Sequence, residues 1–288
     1  TKADWNLYFA QYKEIPEFIF LNSDMTLNEF KIIFYWEYFH RLLGRFIGLL
    51  SILPLLFFLY KYQNDRASIL KYFLLFFLIC AQGFLGWYMV ESGLVDRVDV
   101  SHYRLASHLC LAFVILSITF WYILERYKIN SFDKKLPNLL LIIIFIFIFF
   151  QIILGAFLAG LDGGLIYNTW PDMNGKFLPD DVSIASFFSS ESFNTPSIIQ
   201  FIHRKMAYIL FILILYLNII YIYKKLPIIN ILVFDLAVLF QIFLGVITLL
   251  SGAKIFYASL HQIGSVIVVS SFLYICYKNI NTNLQPSN

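Results

Sequence analysis

Charge is scarce in this chain. Asp, Glu, Lys and Arg make up only 14% of its 288 residues, where a soluble domain carries about 25%, and apolar residues reach 60%. A fold surrounded by water is therefore excluded. The 21 basic residues exceed the 18 acidic ones by only +3, so nucleic acid is not indicated as a partner, and each basic residue has to be judged by its position. Cysteine is nearly absent: Cys80, Cys110 and Cys276 lie singly in apolar stretches without CxxC or CxxCH spacing. That excludes a cysteine zinc site, a disulfide framework and covalent haem attachment. The alternating polarity of a membrane β-barrel is missing as well.

What the chain has instead is long apolar runs. About 20 such residues cross a hydrocarbon core as helix, and seven stretches qualify: 41–60, 69–90, 104–124, 136–160, 201–223, 227–251 and 258–278. An all-α membrane protein follows. Lys and Arg concentrate in the connections 61–71, 125–135 and 224–225 and at Lys278, beside only Asp65, Glu125 and Asp133. By the positive-inside rule that side faces the cytoplasm or matrix. The N-terminal segment and the connections 91–103 and 161–200 then face the periplasm or intermembrane space. The chain begins at Thr1 without an initiator methionine or a cleavable signal peptide. An upstream helix, absent from this sequence, is the expected carrier of the outer segment 1–40.

A short pattern recurs on the outward-running spans: Gln82-Gly-Phe-Leu-Gly86, Gln151-Ile-Ile-Leu-Gly155 and Gln241-Ile-Phe-Leu-Gly245. Each is followed by an outer loop and then a histidine near the start of the next inward-running span: His108, His203 and His261. His40, just ahead of the first span, makes a fourth. The arrangement predicts two pseudo-symmetric four-helix halves. The expected divisions are an outer segment 1–40, an N-terminal half 41–124 with its first helix absent, an inner connection 125–135, a C-terminal bundle 136–278 and an inner tail 279–288.

A single histidine at a helix end is usually an ordinary interfacial residue. Four in register, two per repeat, match the way facing imidazoles in a helical bundle hold haem iron, and two pairs imply two haems. The glycines of the repeat would let a helix approach a neighbour or a flat macrocycle. Arg41, Arg45, Arg104, Arg204 and Lys205 are candidate partners for haem propionates, or else interfacial bases. His102 reads as a solvated loop residue and Asp235 as an acid turned into the bundle. Glu37 breaks the symmetry: it stands three residues before His40, whereas Gln200 and Ala258 hold the equivalent places before His203 and His261. An acid beside one pair alone predicts one chemically active site and one electron-transfer site.

At these residues the sequence resembles the haem A synthase family. The matching stretches are Glu37 to Arg45, Val90 to Leu94, Ser101 to His108, Gly160 to Leu165, Tyr167 to Met173, His203-Arg204 and His261-Gln262. Lacking outer-loop cysteine pairs, the chain is similar to the mitochondrial and related bacterial branch. The resemblance implies eight helices in two halves, of which this chain has seven. It implies that His203 and His261 ligate a resident haem b, with Arg204 as propionate partner. His40 and His108, with Arg41 and Arg45, would hold the substrate haem O, and Glu37 would be the acid required for turnover. The implied reaction takes the C8 methyl of haem O to the formyl of haem A in two hydroxylations with water-derived oxygen, a geminal diol then losing water, and electrons leave through haem b. Implied partners are the lipid bilayer, a haem O synthase and an electron-transfer protein such as a ferredoxin, with homo-oligomer formation left open. The implied location is the bacterial or mitochondrial inner membrane, with the haem sites toward the outer side. The alternatives are a two-haem b-type electron carrier, which would not need Glu37, and a transporter, which would be colourless.

Overall fold

The computed structural model describes residues 1–93, 98–127 and 129–280. Leu94 of one matching stretch, Lys128 of the inner connection and tail residues 281–288 lie outside the described residues. Among the described residues nine α-helices form: α1 (Lys2–Tyr12), α2 (Pro16–Phe20), α3 (Leu27–Lys61), α4 (Arg66–Glu91), α5 (His102–Arg126), α6 (Asn138–Gly160), α7 (Pro196–Tyr223), α8 (Ile228–Leu250) and α9 (Ile255–Ile280). Among the described residues there is no β-strand, and the seven helices from α3 to α9 are long and apolar enough to cross a membrane. The all-α membrane fold expected from composition is the one observed.

The helix ends follow local chemistry. Thr26 and Glu29 form a reciprocal capping box that starts α3. Asp65 caps α4 through the Ser68 amide. Pro196 opens α7, where a missing N–H costs nothing. Because α3 begins at Leu27 and runs 35 residues, the boundary expected at residue 40 falls inside a continuous helix, and His40 sits in its middle. The preceding α1 and α2 are tied to the start of α3 by rings: Trp5 lies 5.0 Å from Phe34, and Tyr12 4.9 Å from Phe30.

The chain divides into two compact units, Thr1–Ile115 and Leu116–Asn288. In the first, α3 packs along α4, yet α4 buries no residue and α3 buries only Phe30 and Leu55. In the second, α6, α7, α8 and α9 pack in a closed ring, α8 and α9 most extensively. Ile144, Ile199, Leu217, Ile231, Phe234 and Phe272 are completely excluded from solvent there. The inner end of that ring is pinned by Asn279, which accepts from the Leu136 amide at 2.6 Å and donates to Asn138 at 2.9 Å.

Candidate functional site

Two histidine pairs form, one in each unit. In the first unit His108, on α5, lies within electrostatic range of His40 on α3. In the second, His203 on α7 lies within range of His261 on α9. The two pairs differ in surroundings, His40 being exposed and the other three half-buried. Among the described residues no cluster of three or more His, Cys, Asp or Glu could hold a bare metal ion. A group that brings most of its own metal ligands needs only such pairs.

The recurring glycines face these histidines directly. A Cβ on Gly86 would fall 2.9 Å from His108 Cε1, on Gly155 3.3 Å from His203 Cε1, and on Gly245 2.9 Å from His261 Cε1. Each glycine thus clears room for an imidazole from the next helix, a more specific use than the general helix or macrocycle approach expected from sequence. The glutamine one turn earlier on the same helix face reaches the same histidine. Gln82, Gln151 and Gln241 donate to the main-chain carbonyls of His108, His203 and His261 at 3.0, 2.9 and 2.9 Å. Sequence reading found the glutamines but not their partners, because spacing within one helix does not reveal what the next helix presents.

The basic residues are distributed unequally. Arg41 Nη2 pairs with Glu37 Oε2 at 2.6 Å, one turn apart and both exposed, while Arg45 is exposed. Arg104 donates to the Tyr88 carbonyl at 2.6 Å and stacks on the Tyr88 ring at 3.7 Å. Lys205 lies 4.0 Å over the Phe177 ring. Arg204 turns one Nη2 into the outer loop, where the carbonyls of Thr169, Pro171 and Asp172 accept at 2.9, 3.2 and 2.6 Å. Its Nη1 is buried without a hydrogen-bond partner. A guanidinium half used for structure and half unsatisfied in a buried position has capacity for an anion. His108 Nδ1 and His203 Nδ1 are likewise buried without partners. Paired imidazoles, glycine-cleared ring positions and a half-free arginine fit a haem with its propionates.

His102 departs from expectation. It begins α5 and is buried, its ring 4.1 Å from that of Tyr103. Just before it, the Ser101 amide donates to Ser92 Oγ, at the end of α4, at 2.9 Å, which holds the start of α5 against α4. Asp235 accepts from Asn218 at 2.9 Å. A small polar network that sequence reading missed organises loop 161–195: Asp181 accepts from Tyr167 at 2.6 Å and from Ser197, and Gln200 donates to the Tyr167 carbonyl at 2.9 Å. The bond to Asp181 lifts the Tyr167 hydroxyl above its ordinary range. Burial pushes Asp181 up, but its bonds from Ser197 and Tyr167 outweigh that and hold it low.

Fold and site together define a multi-pass helical membrane protein with a pair of histidines in each of its two units. The family model described as "Cytochrome oxidase assembly protein" matches residues 1–273. The chain is 56% identical over 278 residues to a "Heme A synthase" of Pelagibacter ubique, covering 96% of this chain and 83% of that one. It is 41% identical over 286 residues to proteins of the same name from Rickettsia bellii and Rickettsia felis, covering 97% of this chain and 84% of each. This chain belongs to that cytochrome oxidase assembly family.

Proposed function

We propose that the protein is a haem A synthase, an oxidoreductase that takes the C8 methyl of haem O to the formyl of haem A. The half-reaction is –CH3 + H2O → –CHO + 4 H+ + 4 e−, with oxygen drawn from water. The observation that carries this reading is the inequality of two otherwise similar histidine pairs. Glu37 stands less than one helical turn before His40 and is held by Arg41, whereas Gln200 in the equivalent place before His203 is buried in a structural bond to Tyr167.

In this reading His203 and His261 hold a resident haem b, and the free Arg204 Nη1 meets a propionate. When bound, that haem supplies a one-electron relay between substrate and acceptor. His40 and His108 hold haem O, with Arg41 and Arg45 as carboxylate partners. Glu37 is the catalytic acid/base: an exposed carboxylate beside the substrate ligand can take a proton released in the oxidation, or oppose positive charge developing at the methyl carbon. The Arg41 bond keeps it in one rotamer within reach of that face. A haem O synthase supplies the substrate, a ferredoxin or similar protein takes electrons, and further copies of the chain can assemble in the bilayer. The concentration of Lys and Arg in connections 61–71, 125–135 and 224–225 supports haem sites on the outer side of a bacterial or mitochondrial inner membrane.

The test is the haem extracted after co-expression with a haem O synthase. Haem A or its hydroxylated precursor is the expected product. Haem B alone would replace this reading with that of a two-haem electron carrier.

A further inference from the structure

The three glutamines of the repeat share a geometry that helix packing alone does not require. Besides donating to its histidine's carbonyl, each amide nitrogen also faces the same histidine's Nε2: 3.3 Å for Gln82 and His108, 3.3 Å for Gln151 and His203, and 3.5 Å for Gln241 and His261. Which end of the amide is nitrogen follows from its partners, because an oxygen in that place would confront the carbonyl oxygen of the same histidine at 2.9–3.0 Å. The NH2 group has two hydrogens and no acceptor. One is spent on the carbonyl, and the other points at Nε2.

A neutral imidazole carries one N–H and one lone pair. An Nε2–H would set donor against donor in a poorly solvated setting, so the facing NH2 selects the tautomer protonated at Nδ1. His261 agrees independently, since its Nδ1 lies 3.1 Å from the Gln241 main-chain carbonyl, an acceptor; at His108 and His203, whose Nδ1 has no such acceptor, the facing NH2 alone makes the selection. Bond lengths then rank the two contacts. The carbonyl bonds are of ordinary length, whereas the Nε2 contacts lie beyond the usual 2.7–3.2 Å and are the weaker, more easily displaced partners.

We propose that Gln82, Gln151 and Gln241 are positioning residues that hold His108, His203 and His261 in the Nδ1–H tautomer and keep each Nε2 lone pair reserved, behind a displaceable amide hydrogen, for haem iron. The carbonyl bond stays as the anchor and the Nε2 contact yields. The tautomer part stands without any haem; the reservation for iron rests on the function proposed above. Gly264 belongs to the device, because a Cβ there would overlap Gln241 Oε1 and drive the amide out of place.

The test uses the full chain labelled with [15N]histidine, produced in haem-starved cells and held in lipid, with the ring nitrogens read by solid-state NMR. In the wild type the three histidines should show a protonated Nδ1 and a bare Nε2. Gln82→Leu and Gln151→Leu, each removing the facing NH2 without putting an oxygen against the carbonyl, should let Nε2–H signals appear at its own histidine only. Nε2–H signals in the wild type, or tautomers unmoved in both leucine variants, overturn the proposal. Gln241→Leu and Gly264→Ala should each weaken haem b retention by roughly tenfold to a hundredfold, the usual effect of removing a partner that orients a metal-bound histidine. Unchanged retention in both also overturns it. If instead His203→Ala keeps its haem while the tautomers are as described, the haem-ligand assignment fails and the glutamine device stands.

Discussion

The second unit wraps its histidine pair in a closed ring of four helices, whereas the first presents His40 on the exposed surface of α3 against an α4 with no buried residue. Yet both contain the same local device, a glutamine and a glycine one turn apart that seat a histidine from the following helix. The device is therefore set by the local Gln-x-x-Leu-Gly sequence, and burial is set separately by what surrounds it. Under the function proposed above, that separation would suit one pair to keeping a haem and the other to exchanging one, because an enclosed bundle slows departure and an accessible pair allows entry and exit.

The contrast breaks most sharply at the ligands. His203→Ala and His261→Ala should each abolish the low-spin haem b spectrum, since a bis-imidazole site cannot lose a ligand and keep its signature. His40→Ala should leave that spectrum intact, because its unit holds the other pair. Reduced spectra of the three purified variants decide it, and a wild-type spectrum in both His203→Ala and His261→Ala would remove the second unit as the resident site.

The next effect separates chemistry from binding. Glu37→Gln keeps the volume and hydrogen-bonding capacity of the side chain but cannot carry negative charge or accept a proton near neutrality. Haem b content should be unchanged, and haem A formed per haem b should fall by at least about a hundredfold, the lower scale for losing a general acid/base group. The Arg41 bond can survive in neutral form, and both partners are exposed, so little stability is at stake. Near-normal turnover per haem b would take Glu37 out of the mechanism.

The seven spans were legible because an apolar run of bilayer length has few other uses, and the four ligand candidates because they recur in register. The outer start of α3 was hidden in a polar, aromatic stretch without apolar periodicity. The signal that could have found it was Thr26-Leu-Asn-Glu29, a capping box readable from sequence. His102 was misjudged since an acidic neighbourhood speaks for solvent, while the start of α5 is tied to the end of α4 by a bond from Ser101 to Ser92 that sequence does not show. Arg204 could be recognised as a base beside a candidate ligand. Its engagement with three loop carbonyls could not, because main-chain acceptors carry no sequence label.

The smallest effect tests whether surroundings alone distinguish the units. Gly86 and Gly245 offer the same clearance, an added Cβ falling 2.9 Å from the imidazole Cε1 in each. Alanine at either position gains up to about 1 kcal/mol of helix propensity over glycine and loses whatever it costs to move the ring. At Gly245 the facing helices are the most closely packed pair in the second unit, with Leu244 buried beside the site, so the strain should follow the overpacking range of about 1–3 kcal/mol. Gly245→Ala should therefore lower the midpoint of thermal haem b loss. At Gly86, α4 buries nothing and its neighbours Phe84 and Trp87 are exposed, so His108 can shift and the propensity gain offsets most of the cost. Gly86→Ala should leave thermal unfolding of the purified protein close to wild type. Gly155, with 3.3 Å of clearance, lies inside the tight unit but starts with more room, and its alanine variant should fall between the two. If Gly86→Ala proves as damaging as Gly245→Ala, the first unit is packed as firmly around its histidine as the second.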